Sequence, residues 1–196
     1  KSEFEIKRMR EAIQISAEAH ELVRELIESK NNERQVQGIL EGFFLEKGAR
    51  GPAYNSIVAS GDNACILHYT SNNSPLNKEE LLLVDAGCSL TDYYNGDITR
   101  TIPIGGKFSD EQKVIYEIVL SAQKTAIQNV IIGSNSSTVH NVALITLIEG
   151  LKEIGLLSGS TEEIIENQSY KHLYMHRTGH WLGLDVHDVG AYRMGD

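Results

Sequence analysis

The chain has 196 residues, of which 41% are apolar and 23% charged; this is enough for a sizeable core and ordinary for a globular protein. A net charge of −9 argues against nucleic acid or an anionic membrane as the main partner. Two cysteines, Cys65 and Cys88, supply neither a disulfide framework nor a Cys-rich metal site, and no apolar run approaches the roughly 20 residues of a membrane-spanning helix. A reducing, cytoplasmic setting follows as the expectation. The start, KSEFEIKRMR, is too polar for a signal peptide and has no initiator Met, so the chain is expected to begin inside a longer protein.

In chain order, Glu3–Lys30 reads as one long helix on the spacing of Ile6, Met9, Ile13, Ala17, Ala19, Leu22, Val23 and Leu26. Asn32 or Glu33 opens a second helix, which Gly48 stops. Ala53–Ser60 is strand-like, Gly61-Asp62-Asn63 a tight turn, and Ala64–Tyr69 a second strand with His68 near its end. Both cysteines read as core residues of apolar strands. After the polar loop Ser71–Lys78 comes Leu81–Thr101, LLLVDAGCSLTDYYNGDITRT, expected to be a hairpin that buries Asp85 and aligns it with Asp97. Ser109 and Gln112 form a capping box for a helix to about Val130. Ser136 or Ser137 caps another helix over Val139–Ile154, and Thr161–Asn167 is a short one. Tyr170–Asp196 has no helical period and holds four of the seven histidines. The order helix, helix, strands occurs twice, without a linker, which predicts one α+β domain over 1–196.

Two features could carry chemistry. Burying a lone carboxylate is costly without a partner, and two adjacent carboxylates repel unless a cation lies between them. Asp85 and Asp97 are therefore a candidate floor for a divalent metal; the alternative, that both face water at turns, stays open here. His176, His180 and His187 follow in a glycine-punctuated stretch, where Arg177 replaces the Glu of a helical zinc motif. Two aspartates with an imidazole suit Mn, Co, Fe or Zn. There is no G-x-S-x-G elbow, P-loop or GxGxxG. His20, His140 and His172 read as structural, Trp181 as a core or pocket-wall aromatic, Tyr93-Tyr94 as strand packing and Arg100 as an ion-pair partner. Asp185 and Asp188 either orient His187 or face solvent.

Three ordered motifs, ILHYT (Ile66–Thr70), VDAGC with GDITRT (Val84–Cys88, Gly96–Thr101) and HxxxHWLGLDVHDVG (His176–Gly190), resemble those of the pita-bread metallopeptidases over nearly the whole chain. The resemblance is nearer to the proline-specific branch, aminopeptidase P before prolidase, than to methionine aminopeptidase. It implies a pita-bread fold of pseudo-symmetric helix-helix-hairpin halves. It also implies cleavage of Xaa-Pro peptides by water activated between two divalent ions, manganese first, cobalt or zinc as alternatives. Asp85 would chelate one ion, Asp97 bridge both and His180 bind the other; His68, His176 and His187 would hold substrate, stabilise the tetrahedral intermediate and assist departure of the proline nitrogen. Two glutamate ligands of the family pattern, in a second hairpin, have no counterpart in these 196 residues. The resemblance therefore leads to the expectation of an incomplete second half, an inactive fragment and a homo-oligomeric parent. The Ser89–Asn95 loop is one residue longer than in many relatives and is expected to bulge. A rival of another class is a pita-bread binding module without catalysis, and a metal-free creatinase-like branch is a third; the intact aspartates and histidines weigh against both.

Overall fold

The structure, a computed structural model, describes residues 1–191, so the last five positions of the expected 1–196 domain lie outside the described residues. Its elements are α1 (Glu3–Leu26), α2 (Glu33–Glu46), β1 (Gly51–Pro52), β2 (Ile57–Ser60), β3 (Leu81–Ala86), β4 (Cys88–Ser89), β5 (Ile98–Pro103), α3 (Asp110–Gln128), α4 (Ser136–Glu153) and α5 (Thr161–Glu166). The chain divides into two compact units. One comprises Lys1–Phe108 with His180–Ala191; the other contains Ser109–Gly179.

In the first unit, Ser2 and Glu5 form a reciprocal capping box that starts α1. The buried face of α1 is Ala12, Ile15, Ser16, Ala19, His20 and Val23, rotated from the expected stripe; Ile6, Ile13 and Leu26 are exposed. The reason is close approach. A Cβ on Gly96 would lie 2.5 Å from Ser16 Oγ and 2.8 Å from the Ala12 carbonyl oxygen, so small residues must face the hairpin there. Ser16 Oγ also accepts from the Cys88 amide at 3.0 Å. Asn32 caps α2 by accepting from the Arg34 amide, and Gly48, at φ 82, ends it. Val36, Leu40 and Phe44 of α2 join the α1 face over Leu82, Val84 and Ala86 of β3. Each of these buried Val, Leu and Phe side chains contributes roughly 1.5–3 kcal/mol.

Two small antiparallel sheets form, β2-β3-β5 and β1-β4. The expected strand Ala53–Ser60 is in fact β2 preceded by an irregular segment, and β1 pairs Gly51 with Ser89. The predicted strand Ala64–Tyr69 is absent. Gly61–Cys65 is a 3-10 turn, and Cys65, Ile66, Leu67 and His68 are exposed. The side chains of Asn63 and Tyr69 bond Glu33, which holds this segment as a loop; Cys65 is therefore exposed and not a core residue, whereas Cys88 is buried. Along β3, Leu82, Val84 and Ala86 face the core while Leu81, Leu83 and Asp85 lie on the half-buried face, as period two demands.

In the second unit, Ser109 and Gln112 form the predicted capping box of α3. The cap of α4 is Asn135, whose side chain accepts from the Thr138 amide, and not Ser136 or Ser137. Gly150 lets the two helices close: a Cβ there would sit 2.6 Å from an Ile118 methyl. Leu144, Ile148, Leu157 and Ile164 form this unit's core.

Candidate metal centre

The hairpin places the two aspartates on one face by register. In the β3–β5 ladder Asp85 pairs with Thr99, not with Asp97. Asp97 lies two residues before Thr99, so it is the diagonal neighbour on the same face. The pinch that permits this is Gly87, where a Cβ would stand 1.8 Å from the Gly96 carbonyl oxygen. Across it, the Gly96 amide donates to the Cys88 carbonyl at 2.9 Å.

Both carboxylates converge on one phenol. Tyr54 Oη lies 2.6 Å from Asp85 Oδ1 and 2.7 Å from Asp97 Oδ1. Burial, then the Asp85 and Asp97 charges, pushes the Tyr54 hydroxyl far above its ordinary value, so it remains a donor. One phenol proton cannot make two full hydrogen bonds. The Asp85 carboxyl is held above the ordinary carboxylate range by burial and by the Asp97 charge, against the opposing hydrogen bonds of Tyr54 and Thr99. Two acidic groups thus share too little positive charge, which is the condition a cation relieves.

The imidazole arrives from the glycine-punctuated stretch. His180 Nε2 is 2.9 Å from Asp97 Oδ2, and His180 Nδ1 faces the Trp181 carbonyl at 2.8 Å. His187 stacks on His180, with ring centroids 4.0 Å apart. Asn95 holds this stretch to the hairpin: its amide nitrogen donates to the Gly183 and Leu184 carbonyls at 3.2 and 2.8 Å, and its backbone N–H donates to Gly183 at 3.0 Å. Leu90–Tyr94 forms the intervening turn, with Tyr93 left-handed at φ 71.

The structure thus joins Asp85, Asp97, His180 and His187. It does not bring His68 into contact with them; that residue sits exposed at φ 56 in the loop after the 3-10 turn. His176 belongs to the second unit, where its ring meets Tyr174 edge-on at 5.4 Å. In that unit His140 and Tyr174 both reach Thr178 Oγ1, each at 2.8 Å. Among the described residues no three His, Cys, Asp or Glu side chains form a closed metal-holding group. The donor chemistry nevertheless fits a divalent ion: two carboxylates that share one phenol, with an imidazole on one of them.

Other expectations resolve differently. Asp188 is buried and paired with Lys1, so it neither orients His187 nor faces solvent. Arg100 donates to the Thr99 carbonyl and has no ion-pair partner among the described residues. His20 is a buried structural histidine against the Ala86 carbonyl, as read from the sequence. Tyr54 was missed; the only signal was a tyrosine just past Gly51-Pro52, whose hydroxyl must find a partner once buried. Glu33, which in the sequence marks only the start of the second helix, is wholly buried.

Known proteins resemble this chain in sequence and fold. The chain is 46% identical over 192 residues to the Xaa-Pro aminopeptidase of Haemophilus influenzae, covering 98% of this chain and 44% of that protein. Its structure superposes on Pseudomonas aeruginosa aminopeptidase PepP with a TM-score of 0.93 at 46% identity, covering 100% of this chain and 44% of that one. A zinc-substituted Escherichia coli aminopeptidase P in complex with product matches with a TM-score of 0.92 at 40% identity, over 98% of this chain and 43% of that one. The chain spans less than half the length of these relatives, and within that span the fold is the pita-bread fold. With residues 7–195 matching the family model, the chain belongs to metallopeptidase family M24.

Proposed function

We propose that this chain supplies part of the active site of a metal-dependent aminopeptidase that releases the N-terminal residue from peptides with proline second. The observation that carries the reading is the convergence of Asp85 and Asp97 on one phenol, with His180 on Asp97. The names of its relatives favour aminopeptidase over dipeptidase specificity.

Asp85, Asp97 and His180 would hold two divalent ions, manganese the first choice. When bound, the ions supply Lewis-acid polarisation and lower the pKa of water. Tyr54 fixes the rotamers of both aspartates. His187, which stacks on His180, would orient it and pass a proton toward the proline nitrogen. An Xaa-Pro bond needs such a donor because its tertiary nitrogen must be protonated as it leaves. His68 and His176 keep substrate-binding roles on the resemblance alone. Two free cysteines suit a cytoplasmic setting, and the full-length product is taken to be a homo-oligomer.

The test uses the full-length product of the gene, stripped of metal and reloaded with Mn²⁺, Co²⁺ or Zn²⁺, against Xaa-Pro dipeptides and longer Xaa-Pro peptides. Metal-dependent cleavage of the longer peptides, lost in Asp97→Asn, is expected. No cleavage with any of the three ions, or full activity in Asp97→Asn, refutes the proposal.

A further inference from the structure

A second polar cluster lies in the first unit, apart from the aspartates, and the site described above does not use it. Glu33, the first residue of α2, is wholly buried yet carries a carboxylate. Five donors surround it. Oε1 accepts from the Ser60 amide and hydroxyl at 2.8 Å each and from Asn63 Nδ2 at 2.9 Å. Oε2 accepts from the Ser74 amide and the Tyr69 hydroxyl, both at 2.8 Å. A charge buried to this depth persists only when its lone pairs are filled, and here they are.

What these donors share is their place in the chain. Ser60, Asn63, Tyr69 and Ser74 bracket one exposed loop and its centre, and that loop carries His68. The loop is strained: His68 and Asn72 both hold left-handed backbone, at φ 56 and 45, without being glycine. Such strain survives only where the surroundings over-determine the conformation, and it gathers at functional segments. The other end of the strain is fixed by Asn72, whose side chain accepts from the Val58 amide and donates to the Ser56 carbonyl. Tyr69, the neighbour of His68, touches Glu33 directly.

We propose that Glu33 is a positioning residue: its carboxylate clamps the Ser60–Ser74 loop at three places and thereby sets the backbone that presents His68 to substrate. The proposal rests on the peptidase reading for the role of His68, but not for the clamp. A hydrophobic anchor would fill the same space without fixing φ at residue 68; a carboxylate with two oxygens can hold both ends and the middle together.

The experiment uses full-length protein with Glu33→Gln, His68→Ala, the double variant and Tyr69→Phe. Amide hydrogen exchange over residues 61–74 is measured beside kcat and KM on an Xaa-Pro peptide. Glu33→Gln should speed exchange in 61–74 while leaving β3 and β5 protected. It should also lower kcat/KM about tenfold or more. Because it acts through His68, the double variant should be no worse than His68→Ala alone. Tyr69→Phe, which removes one donor, should show the same local pattern in smaller measure and carries the test if Glu33→Gln does not fold. Losses that multiply in the double variant, or exchange that rises throughout the first unit or not at all, overturn the proposal. If the wild type cleaves no Xaa-Pro peptide, the function reading fails and the exchange result alone upholds or overturns the clamp.

Discussion

Replacing Gly87 by alanine tests whether the hairpin pinch is what gathers the site. The new methyl would stand 1.8 Å from the Gly96 carbonyl oxygen, 2.3 Å from its carbon and 2.8 Å from the Asp97 nitrogen. All three are backbone atoms, so no side chain can swing away; the strands must part by roughly 1 Å or more, at a cost near the upper end of overpacking, about 3 kcal/mol. Parting them strains the 2.9 Å Gly96–Cys88 hydrogen bond and carries Asp97 away from Tyr54. The chain holds one tryptophan, Trp181, on the stretch that Asn95 ties to this hairpin, so its fluorescence reports local unfolding. With a urea slope of roughly 1–3 kcal/mol per molar, the midpoint should fall by about 1–3 M. Gly38→Ala is the control: it lies exposed within α2 with nothing inside 4 Å of its would-be Cβ, and should stabilise by about 1 kcal/mol. A Gly87→Ala midpoint equal to wild type would refute the reasoning.

Further outcomes follow from the same contacts. Tyr54→Phe removes the one donor that Asp85 and Asp97 share; in chelator it should destabilise the fold by about 1.5–3 kcal/mol at neutral pH, and less in acid, where a carboxyl takes up a proton. Equal urea midpoints for the two proteins at pH 7 would show that the phenol is not needed. Burial alone would raise the Glu33 carboxyl, but donors from Ser60, Ser74, Asn63 and Tyr69 outweigh it and hold it below the ordinary range. A depressed value stabilises the fold above the unfolded pKa near 4.3, and that stability is lost as pH falls through the folded value. The urea-midpoint gap between wild type and Glu33→Gln should therefore shrink from pH 6 to pH 3; a constant gap would contradict it. Asn95→Ala should release the histidine stretch at a cost of about 1–3 kcal/mol, seen as faster amide exchange at Gly183 and Asp188, with unchanged exchange counting against the tether.

Much of this was legible along the chain because it is local. Capping boxes, glycine stops and the 3.6-residue period decide α1 to α5 within a few residues of each signal, and the ordered HYT, VDAGC, GDITRT and HWLG motifs carried the family. The sequence also marked Asp85, Asp97 and His180 as the residues to watch. Three things needed the tertiary structure. The buried face of α1 depends on how closely a helix can approach Gly96, which no periodicity encodes. The strand expected at Ala64–Tyr69 is a 3-10 turn and loop because Asn63, Tyr69 and Ser74 bond the buried Glu33, a partner that the apolar run itself does not reveal. Tyr54 and Glu33 were invisible because their importance lies in partners 27 to 43 residues away, and a side chain's hydrogen-bonding duty is set by what surrounds it once buried. Chain order therefore determined which residues are available for a metal site, and packing alone decided that a single phenol joins its two aspartates and that a single buried carboxylate gathers the donors of the Ser60–Ser74 loop.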